Sequence, residues 1–325
     1  MPLPLVFTRA MALTGGWRPR DIDREVRAGR WTPLRRGVYV VAAAVPPDGP
    51  RRVALEVAAA QLATAHDLVA SHETAAIVHG LPLFRPYDGP LRLSRHRDPA
   101  GDRPGQTSPD ELVSQIANHH RSSVLGAVVT SAARTAIDLA RQGPALSAMV
   151  VLDGALRLGT RREELQEVLE DCRGWPGTKR ARAWLAFADG RAESALESVG
   201  RWRMHQAELP PPDLQVVLSD LEGPIGRTDF CWSAHRTVGE ADGFGKYRTA
   251  DGVADFAALR AEKIREDRLR DAGFEVFRFT WDEAVHRPVV IDMRARRAFA
   301  RAAARAAFAA TPVRMSGRSD AQGRP

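Results

Sequence analysis

The chain has 325 residues, 44% of them hydrophobic and 27% charged, the make-up of a globular protein with room for about two or three domains. No apolar run approaches the roughly 18 residues of a membrane span, and Cys172 and Cys231 alone exclude a disulfide framework and fit the reducing cytoplasm. The formal charge of +7 and pI near 10.2 favour a polyanionic partner such as nucleic acid. All but three of the 47 basic residues (Lys179, Lys246 and Lys263) are arginine, a bias that a GC-rich genome also produces.

Taken in chain order, residues 1–45 predict a small winged helix-turn-helix. A short helix over Phe7–Leu13 closes at Gly15 and Gly16, and Pro19 suits the first turn of a second helix with Ile22 and Val26 on one face. Gly29 ends that helix, and Trp31–Val41 predicts a β-ribbon with Arg35 and Arg36 beside Gly37. A basic helix followed by a basic ribbon is how winged helices meet DNA, the helix in the major groove and the wing on phosphate. A plain helix-hairpin cap with solvated arginines has the same pattern. Arg9 inside the first apolar stretch argues against a signal peptide.

Residues 46–52, rich in proline and glycine, predict a linker into a mixed α/β middle domain over 50–190. Its expected elements are a helix over Ala54–His66, a second helix capped by Ser71 and carrying Ala75 and Val78, and strands at Leu91–Leu93 and Val124–Val129. A polar loop is expected over Pro99–Pro109, and helices at 131–142, 145–158 and 161–171. His66, His72, His79, His119 and His120 scatter without ligand spacing and read as surface or capping residues. Zinc-ligand patterns and phosphate-binding glycine loops are absent from the sequence.

The last unit, 191–290, predicts the order α-β-β-β-α-β. A helix over 193–206 buries Ala195, Leu196, Val199 and Trp202 and stops at Pro210–Pro212; a strand at Leu214–Leu218 and a turn at Gly223–Gly226 follow. A hairpin pairs 228–232 with 237–241 about Ser233–Arg236; then come a helix at 254–272, ended by Gly273, and a strand at Phe274–Phe279. Residues 291–325 predict a basic Ala/Arg helix at 294–309 and a disordered tail from 311. The hairpin sets Asp229 opposite Glu240, with Cβ atoms about 5 Å apart, where like charges repel. Asp242 leaves on the same face as Glu240. Crowded carboxylate oxygens suit a divalent cation, Mg²⁺ or Mn²⁺.

That order, with an Asp on the second strand and Glu-x-Asp on the third, resembles the PD-(D/E)xK restriction-endonuclease fold. More narrowly, ESALESVGRWRMHQAELPPPDLQ, GRTDFCW, GEADG and EDRLRDAGFEVFRFTW resemble domains related to very-short-patch-repair endonucleases, over about 190–285. The resemblance implies a metal-dependent DNA endonuclease in which Asp229 and Glu240 hold the metal, joined by Glu197 from the first helix. Asp242 stands where that pattern places a catalytic lysine. Either Lys263 (or Lys246 just beyond the hairpin) supplies the missing cation, or Asp242 is a further metal ligand. The fold also includes inactive members that only bind.

FTRAMALTGGWRPRDIDREVRAGRWTPLRRGVYVV and VVTSAARTAIDLAR resemble AbiEi-type antitoxins, over about 5–185. That resemblance implies a transcriptional regulator with Arg18, Arg20, Arg24, Arg35 and Arg36 on DNA. A toxin partner would be the product of another gene in the operon.

Overall fold

Val-Phe-Thr at the N-terminus is β-branched and aromatic, and it forms a strand, β1 (Val6–Thr8), where the sequence predicted the start of a helix. The computed structural model describes residues 3–95, 111–113, 116–243 and 256–310; the loop expected at 99–109, Lys246 and the tail from 311 lie outside them. The chain divides into two compact units, Met1–Ser198 and Val199–Pro325.

In the first unit, Thr8 caps helix α1 (Arg9–Thr14) by accepting the Met11 N–H at 3.1 Å. Helix α2 (Pro19–Arg27) carries Pro19 in its first turn as expected. Strands β2 (Trp31–Arg35) and β3 (Val38–Val41) form the ribbon, turning where Gly37 adopts a left-handed φ of 73°. The sheet order is β1-β3-β2, so β2 is an edge and tolerates Pro33. One face of this sheet buries Phe7, Ala12, Ile22, Trp31 and Tyr39, with Trp31 edge-on to Phe7 at 4.7 Å between centroids.

The other face enters a different core. Val6, Val38 and Val40 pack with Ala54, Leu55, Val57 and Ala58 of helix α3 (Gly49–Leu62). The stretch read as a linker at 46–52 is therefore in part the first turn of α3, because a proline there sits where no intrahelical N–H is needed. Strand β4 (Leu68–Ala70), helix α4 (His72–His79), and strands β5 (Leu93–Arg95), β6 (Glu111–Val113), β7 (Arg121–Val124) and β8 (Ala127–Thr130) follow, forming a sheet of order β6-β5-β4-β8-β7. The single strand expected over 124–129 is thus a hairpin, turning at Leu125 and Gly126, both with positive φ. Ser71 precedes α4 as expected, but its hydroxyl bonds Ser94 at 2.8 Å and His72 at 2.9 Å rather than capping the helix.

Helices α5 (Ala132–Gln142), α6 (Ala145–Arg157) and α7 (Arg162–Asp171) match the expected segments, and α8 (Thr178–Phe187) was not foreseen. Ser131 caps α5, accepting the Arg134 N–H at 3.2 Å. Inside α5, buried Arg134 donates to Asp138 at 2.6 Å and buried Arg141 donates to the other Asp138 oxygen at 3.0 Å. Both guanidinium groups lie 5.0 Å from the Trp175 ring. The SAARTAIDLAR segment thus encodes a buried charge cluster of the core.

Helix α9 (Ala195–Gln206) leads into the second unit. There, β9 (Asp213–Asp220), β10 (Gly223–Trp232), β11 (Thr237–Asp242), α10 (Phe256–Asp271), β12 (Glu275–Thr280), α11 (Trp281–His286) and α12 (Val289–Ala310) follow in order. The sheet runs β12-β11-β10-β9, with β11 and β12 parallel and the remaining pairs antiparallel. The turn expected at 223–226 lies earlier, at Leu221–Glu222, and Gly226 instead marks a bulge within β10. Phe230, Trp232, Phe277 and Phe279 form one sheet face, with Phe299 of α12 edge-on to Trp232. Gly200 is required against this face, since a Cβ there would sit 2.3 Å from the Phe279 ring. Cys231, Val238 and Ile225 form the opposite face and pack against Leu269 of α10.

Candidate active site

Strand alternation places Asp229 with Cys231, and Glu240 with Val238, on the sheet face that α10 covers. The hairpin register is the expected one, Trp232 with Thr237 and Phe230 with Gly239, so Asp229 and Glu240 come next. The ladder ends one pair short of them. There the Asp229 carboxylate takes over from the backbone, accepting the Ala241 N–H at 2.8 Å. Gly239 keeps the strands close, since a Cβ would lie 2.9 Å from the Phe277 ring.

Glu240 is only 6% exposed. Arg265 of α10 reaches it, Nη2 lying 3.0 Å from Oε1. The approach is off the hydrogen-bond line, so the contact is an ion pair and Oε1 remains a buried acceptor without a hydrogen bond. Arg265 donates hydrogen bonds to Glu262 from Nε and Nη2, both at 3.0 Å, and to the Arg227 carbonyl from Nη1 at 3.5 Å. Gly226 makes room for this arginine, whose Cδ would lie 3.0 Å from a Cβ there.

The two glutamates that share Arg265 therefore differ in acidity. Burial pushes the Glu240 carboxyl up to about 7; the Asp229 charge adds to this, and the field of Arg265 opposes it. Burial also acts on Glu262, but hydrogen bonds from Arg265 and Arg278 outweigh it and hold that carboxyl below its ordinary value. The geometry thus selects one carboxylate as stable and leaves the other half-protonated near neutrality.

No protein-family model matches the chain. Two relatives from Mycobacterium tuberculosis, the uncharacterised proteins Rv2248 of strain H37Rv and MT2308 of strain CDC 1551, are each 31% identical over 299 residues. Each alignment spans 92% of this chain and 99% of the relative. The chain belongs to their family.

In this member of the Rv2248 family, the remaining residues singled out from sequence fall in different settings. Asp242 ends β11, half-buried and two residues beyond Glu240 on the same face. Lys263 is exposed on α10, two residues from the arginine that does reach Glu240. Glu197 falls in the first unit, with both carboxylate oxygens engaged at the start of α9: one accepts the Glu193 N–H at 2.8 Å, the other the Ser194 hydroxyl at 2.7 Å. The structure thus brings together Asp229, Glu240 and Arg265. Nothing in the sequence marks Arg265 apart from its neighbours on a highly charged helix.

Arg18, Arg20, Arg24, Arg35 and Arg36 are all exposed on the α1–α2 and ribbon portion of the first unit. Helix α2 is electrically balanced, with Asp21, Asp23 and Glu25 against Arg20, Arg24 and Arg27. Arg24 pairs with Asp21 at 2.9 Å, while Asp23 takes Arg9 and Glu25 takes Arg30. Among the described residues, Arg18, Arg20, Arg27, Arg35 and Arg36 form no ion pair, so Arg27 replaces Arg24 in the set with free charge. In the second unit, Arg278, Arg294, Arg297 and Arg301 line a recess of about 350 Å³ beside β12 together with Glu266. Three of these arginines are paired: Arg278 with Glu262 and Glu266, Arg294 with Glu283, and Arg301 with Glu275.

Proposed function

We propose that the second unit is a divalent-cation-dependent phosphodiesterase acting on DNA, and that the N-terminal helices and ribbon of the first unit contact the duplex. The observation that carries this reading is Glu240: a carboxylate 6% exposed, beside a second carboxylate, with Oε1 lacking a hydrogen bond. Burial disfavours such a group as an anion, and Arg265 offsets this only in part, so a further cation would stabilise the charged form. The donors would be carboxylate oxygens of Asp229 and Glu240, which suit Mg²⁺ or Mn²⁺; together with Asp242 they do not all lie within 4.8 Å of one another, so a cation would have to draw Asp242 in. A bound cation would polarise the scissile phosphate and acidify an attacking water.

The protein's own residues prepare that chemistry. The Ala241 N–H fixes the Asp229 carboxylate in place. Glu240 gives up its proton near neutral pH and so becomes a ligand in the working range. Arg265, held by Glu262, is a permanent cation that offsets phosphate charge but cannot exchange a proton.

This last point also supports a second reading, a regulator of the antitoxin kind whose nuclease-like unit binds without cleaving. Asp242 stands where the PD-(D/E)xK pattern has lysine, and the cation that reaches Glu240 is Arg265, which retains charge and lacks proton transfer. Purified protein with Mg²⁺ or Mn²⁺ and supercoiled plasmid separates the two. Nicking that Glu240→Gln or Asp229→Ala abolishes supports the nuclease. Absence of cleavage with either metal on single- and double-stranded DNA, by protein that still binds DNA, supports the regulator.

A further inference from the structure

His119 and His120 end the turn before β7, and Asp171 is the last residue of α7; nothing in the sequence links them. In space they converge. His119 Nε2 lies 2.9 Å from Asp171 Oδ2, and His120 Nε2 lies 3.0 Å from the same oxygen. One ligand atom from each lies within 4.8 Å of the others. We propose that His119, His120 and Asp171 form a transition-metal site in the first unit that takes a Zn²⁺-class divalent cation.

Two observations support it. First, His119 hydrogen-bonds the carboxylate, whereas His120 Nε2, on a residue only 4% exposed, points at the same oxygen without making a hydrogen bond. A buried nitrogen aimed at a carboxylate oxygen without bonding it is placed for a shared third partner. Second, bonds of about 2.0–2.1 Å to one ion put ligand atoms about 3–3.4 Å apart, so the two histidine–aspartate distances need little change.

Two imidazoles and one carboxylate suit Zn²⁺, Fe²⁺, Ni²⁺ or Cu²⁺ better than Mg²⁺. The site opens on a cavity of about 550 Å³ that Ser131, Thr160, Glu164 and Glu167 also line. Three protein ligands facing open space are the form of an exchangeable or reactive site, since closed structural sites use four. This inference does not rest on the nuclease reading, because it uses other residues and another class of ion.

The test is titration of tag-free, metal-stripped full-length protein with Zn²⁺ by calorimetry, and with Co²⁺ by its visible d–d absorption. One equivalent is expected, unaffected by millimolar Mg²⁺ and by Asp229→Ala. The variants His119→Ala and Asp171→Asn change side chains that are 67% and 49% exposed, so both should fold, with circular dichroism as the check. Each is expected to weaken Zn²⁺ at least tenfold and to abolish the Co²⁺ spectrum. Wild-type protein that takes up no Zn²⁺, or folded variants that bind as tightly as wild type, would overturn the proposal.

Discussion

The two units each bury a cluster of arginines and carboxylates, and the clusters differ in how far they are satisfied. On α5, both oxygens of Asp138 accept hydrogen bonds, from Arg134 and Arg141, and Trp175 stacks on both cations. Beside β11, Arg265 directs its hydrogen bonds to Glu262 and the Arg227 carbonyl and meets Glu240 Oε1 as an ion pair. The first cluster satisfies its carboxylate within the fold and leaves only Arg141 Nε without a hydrogen bond. The second leaves one carboxylate short, and that shortfall separates a candidate site from a packing device.

Removing Asp138 should therefore give the largest effect on stability. Asp138→Ala strands two buried guanidinium groups, and breaking a buried pair from one side costs about 3–5 kcal/mol. Urea unfolding should show a loss of that size, with DNA binding per folded molecule unchanged. A loss under 1 kcal/mol would mean that water already reaches the cluster, and the contrast with Glu240 would fail.

Glu240→Gln should act in the opposite direction on stability. The Glu240 pKa is raised from 4.5 in the unfolded chain to about 7 in the fold, corresponding to about 3 kcal/mol. The protonated form is the one the fold favours, so this contribution is fully present below pH 4.5. It is lost as pH rises towards 7, where the folded group ionises in turn. Wild-type protein should lose stability between pH 5 and 8 relative to Glu240→Gln, by up to that amount. Mg²⁺ should restore it at pH 8 in the wild type only. Parallel pH profiles for the two proteins would show that Glu240 is solvated, removing the main support for the metal site.

Much of the second unit was legible in sequence because its signals are local. The order α-β-β-β-α-β and the Trp232–Thr237 register follow from strand alternation and a four-residue turn. What escaped depends on distant chain. β1 forms because Val6–Thr8 finds β3, more than 30 residues on, and no local pattern announces that pairing. Arg265 looks like any arginine on a charged helix; only Gly226, far away in β10, registers its path. His119 and His120 read as isolated because their carboxylate, Asp171, is supplied by another helix across the fold. The SAARTAIDLAR segment, which resembles an antitoxin motif, turned out to specify the Asp138 cluster, a packing role.

The same distinction between satisfied and unsatisfied charge applies, with smaller effects, to the N-terminal arginines. Arg24 is paired with Asp21, whereas Arg35 and Arg36 sit unpaired at the ribbon turn. An arginine already neutralised by its own helix releases few counterions on meeting phosphate; a free one releases nearly its full share. Arg35→Ala with Arg36→Ala should therefore lower the slope of log affinity against log salt by about 2 in DNA gel shifts. Arg24→Ala should lower it by well under 1, since Asp21 is freed as Arg24 is lost. The double variant isolates the ribbon, and the single one tests the helix. If Arg24→Ala weakens binding as much as either ribbon arginine, the Asp21 pair opens on DNA and the balanced charge of α2 is no guide to its role. If the double variant leaves the slope unchanged, the ribbon does not touch phosphate, and the proposed duplex contact by the ribbon is withdrawn.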